Sequence, residues 1–97
     1  MKGRILVVDD EKGQREILDA ILRKEGYLVT AVPGALEALE RLEAEEYDLI
    51  LSDLKMKGIS GLELLERVLE QDPRQCIVIM TARSEEHTSE LQSLAYL

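Results

Sequence analysis

Tryptophan and phenylalanine are absent, and three tyrosines are the only aromatic residues among 97. A core of packed rings is thereby excluded, so the interior has to come from leucine, isoleucine and valine. Hydrophobic residues still make up 45% of the chain, an ordinary globular share, enough for one domain with a real core and too little for two. The single cysteine, Cys76, has no partner for an intramolecular disulfide. Its place in an apolar run reads as a small buried hydrophobe in a reducing compartment. No apolar run approaches membrane-spanning length, and the four-residue run Ile5–Val8 is far short of a signal segment, which reads as a cytoplasmic protein. Basic residues are the scarcer charge, 12 against 20 acidic, for a net charge of −8. That argues against general nucleic-acid binding, which needs a basic patch, and is compatible with a cation held among carboxylates.

What is present is a regular alternation of apolar patterns. Ile5–Val8 is continuously apolar and rich in β-branched residues, the signature of a central parallel strand covered on both faces. Ile17, Leu18, Ile21 and Leu22 then recur at helical spacing, which predicts a helix over 12–25 stopped by Gly26. Leu28 and Val29 lie in too short a segment for a helix and predict an edge strand. After the Pro33-Gly34 turn, Leu36, Leu39 and Leu42 with Ala35 and Ala38 predict a helix to about residue 45. Residues 48–52 predict a strand, a Gly-containing loop follows, and Leu62, Leu65, Val68 and Leu69 predict a helix that stops before Pro73. Residues 76–80 predict a fourth strand. Strands alternating with helices across short loops give an α/β domain with a doubly wound parallel sheet and right-handed crossovers.

The chemistry gathers at the strand ends. The first apolar run ends in Asp9 and Asp10, the run Leu49-Ile50-Leu51-Ser52 ends in Asp53, and the run through Met80 ends in the hydroxyl of Thr81. Open α/β sheets bind ligands at the carboxyl ends of their strands, so these residues converge on one anionic pocket. Adjacent carboxylates are costly unless a cation neutralises them, and Mg²⁺ prefers such oxygen donors. Asp10 and Asp53 are the expected direct ligands, with Asp9 close by or acting through water and the backbone carbonyl of Lys55 as a further oxygen. Asp53 is the expected nucleophile towards phosphorus, and Thr81 the hydroxyl that donates to a phosphoryl oxygen.

The segments Ile5–Glu11, Asp48–Met56, Gly61–Leu65 and Val78–Ala82, in this order and spacing, resemble the receiver domain of two-component response regulators. The wording around Asp53 and Thr81 is most similar to receivers of NtrC-like transcriptional activators. The resemblance implies a flavodoxin-like sheet, here of order 2-1-3-4 with the fifth strand and last helix missing. It further implies Mg²⁺ in the acidic pocket, phosphoryl transfer from a sensor histidine kinase to Asp53, a switch of Thr81 towards the phosphate, and an output domain elsewhere in the parent protein.

Two departures stand out. Where the family usually has proline after the methionine of the loop past the phosphorylated aspartate, this chain has Lys57, which frees the backbone and adds a charge. The family's pattern also continues past Thr81-Ala82 to a fifth strand with a phosphate-pairing lysine, whereas no lysine follows Lys57 here. The receiver is accordingly expected over 1–82. Residues 83–93, reading RSEEHTSELQS, resemble a translated sequencing-library adapter, so 83–97 is expected to be a non-native tail with at most a short helix, and His87 to carry no function. Two other readings compete: an aspartate-nucleophile phosphatase of haloacid-dehalogenase type, with Asp9 and Glu11 as its paired acids, and a receiver fragment that binds protein without switching.

Overall fold

The computed structural model describes residues 3–80. Thr81 and the tail read over 83–97 lie outside the described residues. The elements are β1 (Arg4–Val8), α1 (Lys12–Lys24), β2 (Leu28–Val32), α2 (Ala35–Ala44), β3 (Leu49–Asp53), α3 (Gly61–Gln71) and β4 (Ile77–Met80). All strand pairs are parallel and the order is β2-β1-β3-β4. This is the doubly wound sheet that the alternating pattern predicts, with β1 inside and β2 at an edge.

The continuous apolar run of β1 is explained by its two covered faces. Leu6 and Val8 join Ile50, Leu64, Val68 and Ile79 in a core that also takes residues of α2 and α3. Ile5 and Val7 turn the other way, to Val29 and the partly buried Leu18 and Leu22 of α1. Successive side chains of a strand point to opposite faces, so an unbroken hydrophobic run is the only pattern that satisfies both. Ile50 is fully buried at the centre of the larger core. Ile50→Ala is expected to cost about 2–5 kcal/mol of folding stability, read as a lower urea midpoint.

Several burial expectations need correction. On α2 the helix buries its small residues Ala35 and Ala38, while Leu36 is 61% exposed. A close approach of the helix to the sheet selects alanine on its inner face and leaves Leu36 outside the stripe. On α3, Leu64 is fully buried and Leu62 half-exposed, so the inner face runs through Gly61, Leu64, Leu65 and Val68. On α1, Ile17 and Ile21 are exposed and only Leu18 and Leu22 pack on the sheet. Cys76 is exposed rather than buried, because β4 begins one residue later and Cys76 contributes to the ladder through its carbonyl, which accepts from Ile50 N–H at 3.0 Å. Gly26 stops α1 as expected, with φ of 102°, a left-handed conformation that favours glycine.

Candidate functional site

Parallel pairing levels the strand ends. Val8 is opposite Ser52, and Asp53 is opposite Met80, so the residues leaving β1 and closing β3 emerge side by side. Backbone bonds extend this alignment past the strands: Asp9 N–H donates to the Val32 carbonyl at 3.1 Å, and Leu54 N–H to the Met80 carbonyl at 2.7 Å. Asp9, Asp10 and Asp53 consequently meet, each offering one carboxylate oxygen within 4.8 Å of the others. Asp9 is buried, Asp53 half-buried and Asp10 exposed, so the pocket opens to solvent on the Asp10 side.

Local bonds set the orientation of these acids. Asp9 Oδ1 accepts from Glu11 N–H at 2.9 Å, and the Asp9 carbonyl accepts from Arg15 Nη1 at 2.8 Å. Asp10 Oδ2 accepts from the backbone N–H of Lys57 at 3.0 Å. Burial lifts the Asp53 carboxyl above its ordinary value, the Asp9 and Asp10 charges push it further, and the backbone amides of Leu54 and Lys55 pull against the rise. A carboxylate under that pressure favours a cation beside it.

The start of α3 is packed against the same strand end. Gly61 N–H donates to the Leu54 carbonyl at 2.9 Å, and a Cβ at Gly61 would lie 2.2 Å from the Asp53 carbonyl oxygen. Ser52, fully buried, donates its hydroxyl to that carbonyl at 3.0 Å. The Ser60 hydroxyl caps the helix by accepting from Glu63 N–H at 3.2 Å.

Sequence reasoning named the three aspartates, and the structure brings them together. It did not foresee Arg15, whose signal is ambiguous on a helix rich in charge, nor the contact role of Gly61. For Lys55 the backbone amide faces the Asp53 carboxyl. Glu11, paired with Asp9 in the phosphatase reading, is exposed and outside the cluster, and Asp9 is only 2% exposed, a poor station for an attacking group. A crevice of about 680 Å³ lies by Leu42, Tyr47, Val68 and Gln75, at the other end of the strands, and contains none of the three aspartates. A smaller one of about 440 Å³ lies beside Asp10 and Lys57, between Pro33, Leu36 and Ile59.

Comparison with known proteins gives this geometry its family. The family model described as response regulator receiver domain matches residues 5–94, past the 82 residues in which the motifs fall. Sporulation initiation phosphotransferase F of Bacillus subtilis is 39% identical over 85 residues, covering 88% of this chain and 68% of that protein. The DNA-binding transcriptional regulator NtrC of Proteus hauseri is 39% identical over 84 residues, 87% of this chain but 18% of its own length. The chain thus spans less than a fifth of that regulator. Among solved structures, response regulator TrrA of Thermotoga maritima in complex with Mg²⁺-BeF superposes with a TM-score of 0.82 at 36% identity, covering 96% of this chain and 81% of that one. TrrA in complex with histidine kinase ThkA superposes at 0.80 with 37% identity, covering 95% and 79%. Three aspartates at the carboxyl end of a parallel sheet of order 2-1-3-4, with these relatives, place the chain in the response regulator receiver domain family.

Proposed function

We propose that Asp53 is the phosphoacceptor of this receiver and that the signal passes from a sensor histidine kinase to an output domain of a longer parent protein. The observation that carries the reading is the meeting of the Asp9, Asp10 and Asp53 carboxylates at levelled strand ends. A carboxylate oxygen of Asp53 attacks the phosphorus of a phosphohistidine; the new O–P bond forms as the P–N bond breaks, and the imidazole leaves with the electron pair. The chain's part is positioning. The β3 ladder fixes Asp53, Leu54 and Lys55 amides face its carboxyl, and the open Asp10 side admits the donor.

The donor set fits Mg²⁺, with three carboxylates and no nitrogen or sulfur ligand in the cluster. Asp10 and Asp53 would hold it directly, Asp9 from close by or through water, and the Lys55 carbonyl would add an oxygen. When bound, Mg²⁺ supplies charge neutralisation for the phosphoryl oxygens and for the crowded acids. Thr81, next in sequence after the Met80 that pairs Asp53, is assigned the hydroxyl that senses the phosphoryl group. This chemistry falls within 1–82, and 83–97 takes no part in it. The reaction makes the domain a switch that is charged once and discharged, without a turnover substrate. The TrrA–ThkA complex and the NtrC relatives support the kinase and the output domain as partners.

Two measurements test the reading. A small acyl phosphate with Mg²⁺ is expected to add one phosphoryl group to the full chain, mapped by mass spectrometry to Asp53; a map ending at Asp9 would favour the phosphatase reading instead. Mg²⁺ is also expected to raise the melting midpoint, by the equivalent of about 2.7 kcal/mol at a hundred times its Kd. The rise should be lost in Asp10→Asn, and an equal rise in that variant would remove Asp10 from the ligand set.

A further inference from the structure

The loop between β3 and α3 is tied to Asp10 by a backbone hydrogen bond. Lys57 N–H donates to Asp10 Oδ2 at 3.0 Å across 47 residues of sequence. Among the described residues Asp10 is in no salt bridge, so Lys57 reaches it through its amide, not its ammonium. Asp10 is also the exposed member of the cluster, the one whose side chain is least restrained by packing. A backbone donor is fixed by the loop itself. Holding one carboxylate oxygen, it restrains the Asp10 carboxylate where it lies within 4.8 Å of Asp9 and Asp53.

We propose that the Lys57 amide is a positioning group for the phosphoacceptor site, orienting Asp10 for the cation and so tying metal binding to the conformation of the β3–α3 loop. The inference rests on the phosphoacceptor reading. It concerns a group that any residue except proline carries, since proline has no backbone N–H. The side chain at 57 then matters only through its charge.

Lys57→Pro and Lys57→Ala separate the two. Alanine keeps the amide and removes a positive charge from beside the pocket, so it is expected to bind Mg²⁺ at least as tightly as the parent chain by titration calorimetry. Proline is expected to bind about three- to tenfold more weakly than alanine, the loss of one hydrogen bond to a charged group at an exposed site. In metal-free melts Lys57→Pro is expected below Lys57→Ala, and this gap is expected to close when Asp10→Ala is added to both. Equal Mg²⁺ affinity in the two variants, or a gap that persists with Asp10→Ala, would overturn the proposal while leaving Asp53 as phosphoacceptor. A parent chain that takes up no Mg²⁺ would overturn the metal site and this inference together. Should Lys57→Pro not fold, exchange of the Lys57 amide proton decides: slow in the parent and faster in Asp10→Ala supports the bond, and equal rates in both defeat it.

Discussion

Asp53→Asn is expected to take up no phosphoryl group from a small acyl phosphate, and in metal-free buffer to melt higher than the parent chain. The first outcome follows from the nucleophile: a neutral amide has no anionic oxygen to attack phosphorus. The second follows from the company Asp53 keeps. Burial, then the charge of Asp9, with Asp10 adding to it, raises its folded pKa above the unfolded value. Between those two values the native state holds more protons than the unfolded one, so stability falls as pH rises through the window. Above the window the cost is constant, and asparagine removes it. The gap in midpoint between Asp53→Asn and the parent should therefore be small near the ordinary carboxylate pKa and widen with pH until the folded carboxyl is ionised. For a domain of this size each kcal/mol recovered moves the midpoint by roughly 4–8 °C. A variant that melts lower than the parent at neutral pH without metal would show that the Asp53 carboxylate stabilises the pocket, the opposite of what crowding by Asp9 and Asp10 requires.

Gly61→Ala is the second change with a large expected effect. The added methyl would sit 2.2 Å from the Asp53 carbonyl oxygen and 3.0 Å from the Leu54 Cα, both backbone atoms that no rotamer change can move aside. Either α3 retreats from the end of β3 or the Asp53–Leu54 peptide tilts. Overpacking of this kind costs about 1–3 kcal/mol or more, and at this position the cost is coupled to function. The expected result is a lower urea midpoint together with slower phosphorylation, because the displaced peptide carries Asp53 out of line with Asp9 and Asp10. Full phosphorylation in a destabilised Gly61→Ala would mean that α3 had yielded and the strand end had not.

The element order was legible because each strand is a short apolar block and each helix a periodic one, with Gly26 and Pro33 marking the breaks, whereas the order of strands in the sheet came from the family resemblance. The acidic pocket was legible because strand ends in such sheets share a side, so acids at Asp9, Asp10 and Asp53 have to approach. What escaped was set by packing distance. Alanine at 35 and 38 reads as filler in a leucine stripe, yet a close helix-to-sheet approach makes it the buried residue and expels Leu36. Leu64 and Leu62 are chemically alike, and only the rotation of α3 about its axis decides which is inside. Cys76 reads as a continuation of Ile77, but a strand that starts one residue later leaves it in solvent. Gly61 looks like an ordinary helix start until the Asp53 carbonyl is placed against it. Thr81, the remaining residue of the expected set, lies outside the described structure.

The levelled strand ends carry a consequence for quality control. Asp9 and Asp10 come from one end of the chain's first strand and Asp53 from a distant one, and they become neighbours only through the pairing of Val8 with Ser52. A β3 slipped by one residue would turn Ile50 and Ser52 to the wrong face and carry Asp53 away from its partners. On the proposed phosphoacceptor reading, an unfolded or misregistered copy lacks the assembled acceptor site, so misfolding would be silent to the pathway rather than a source of false signal.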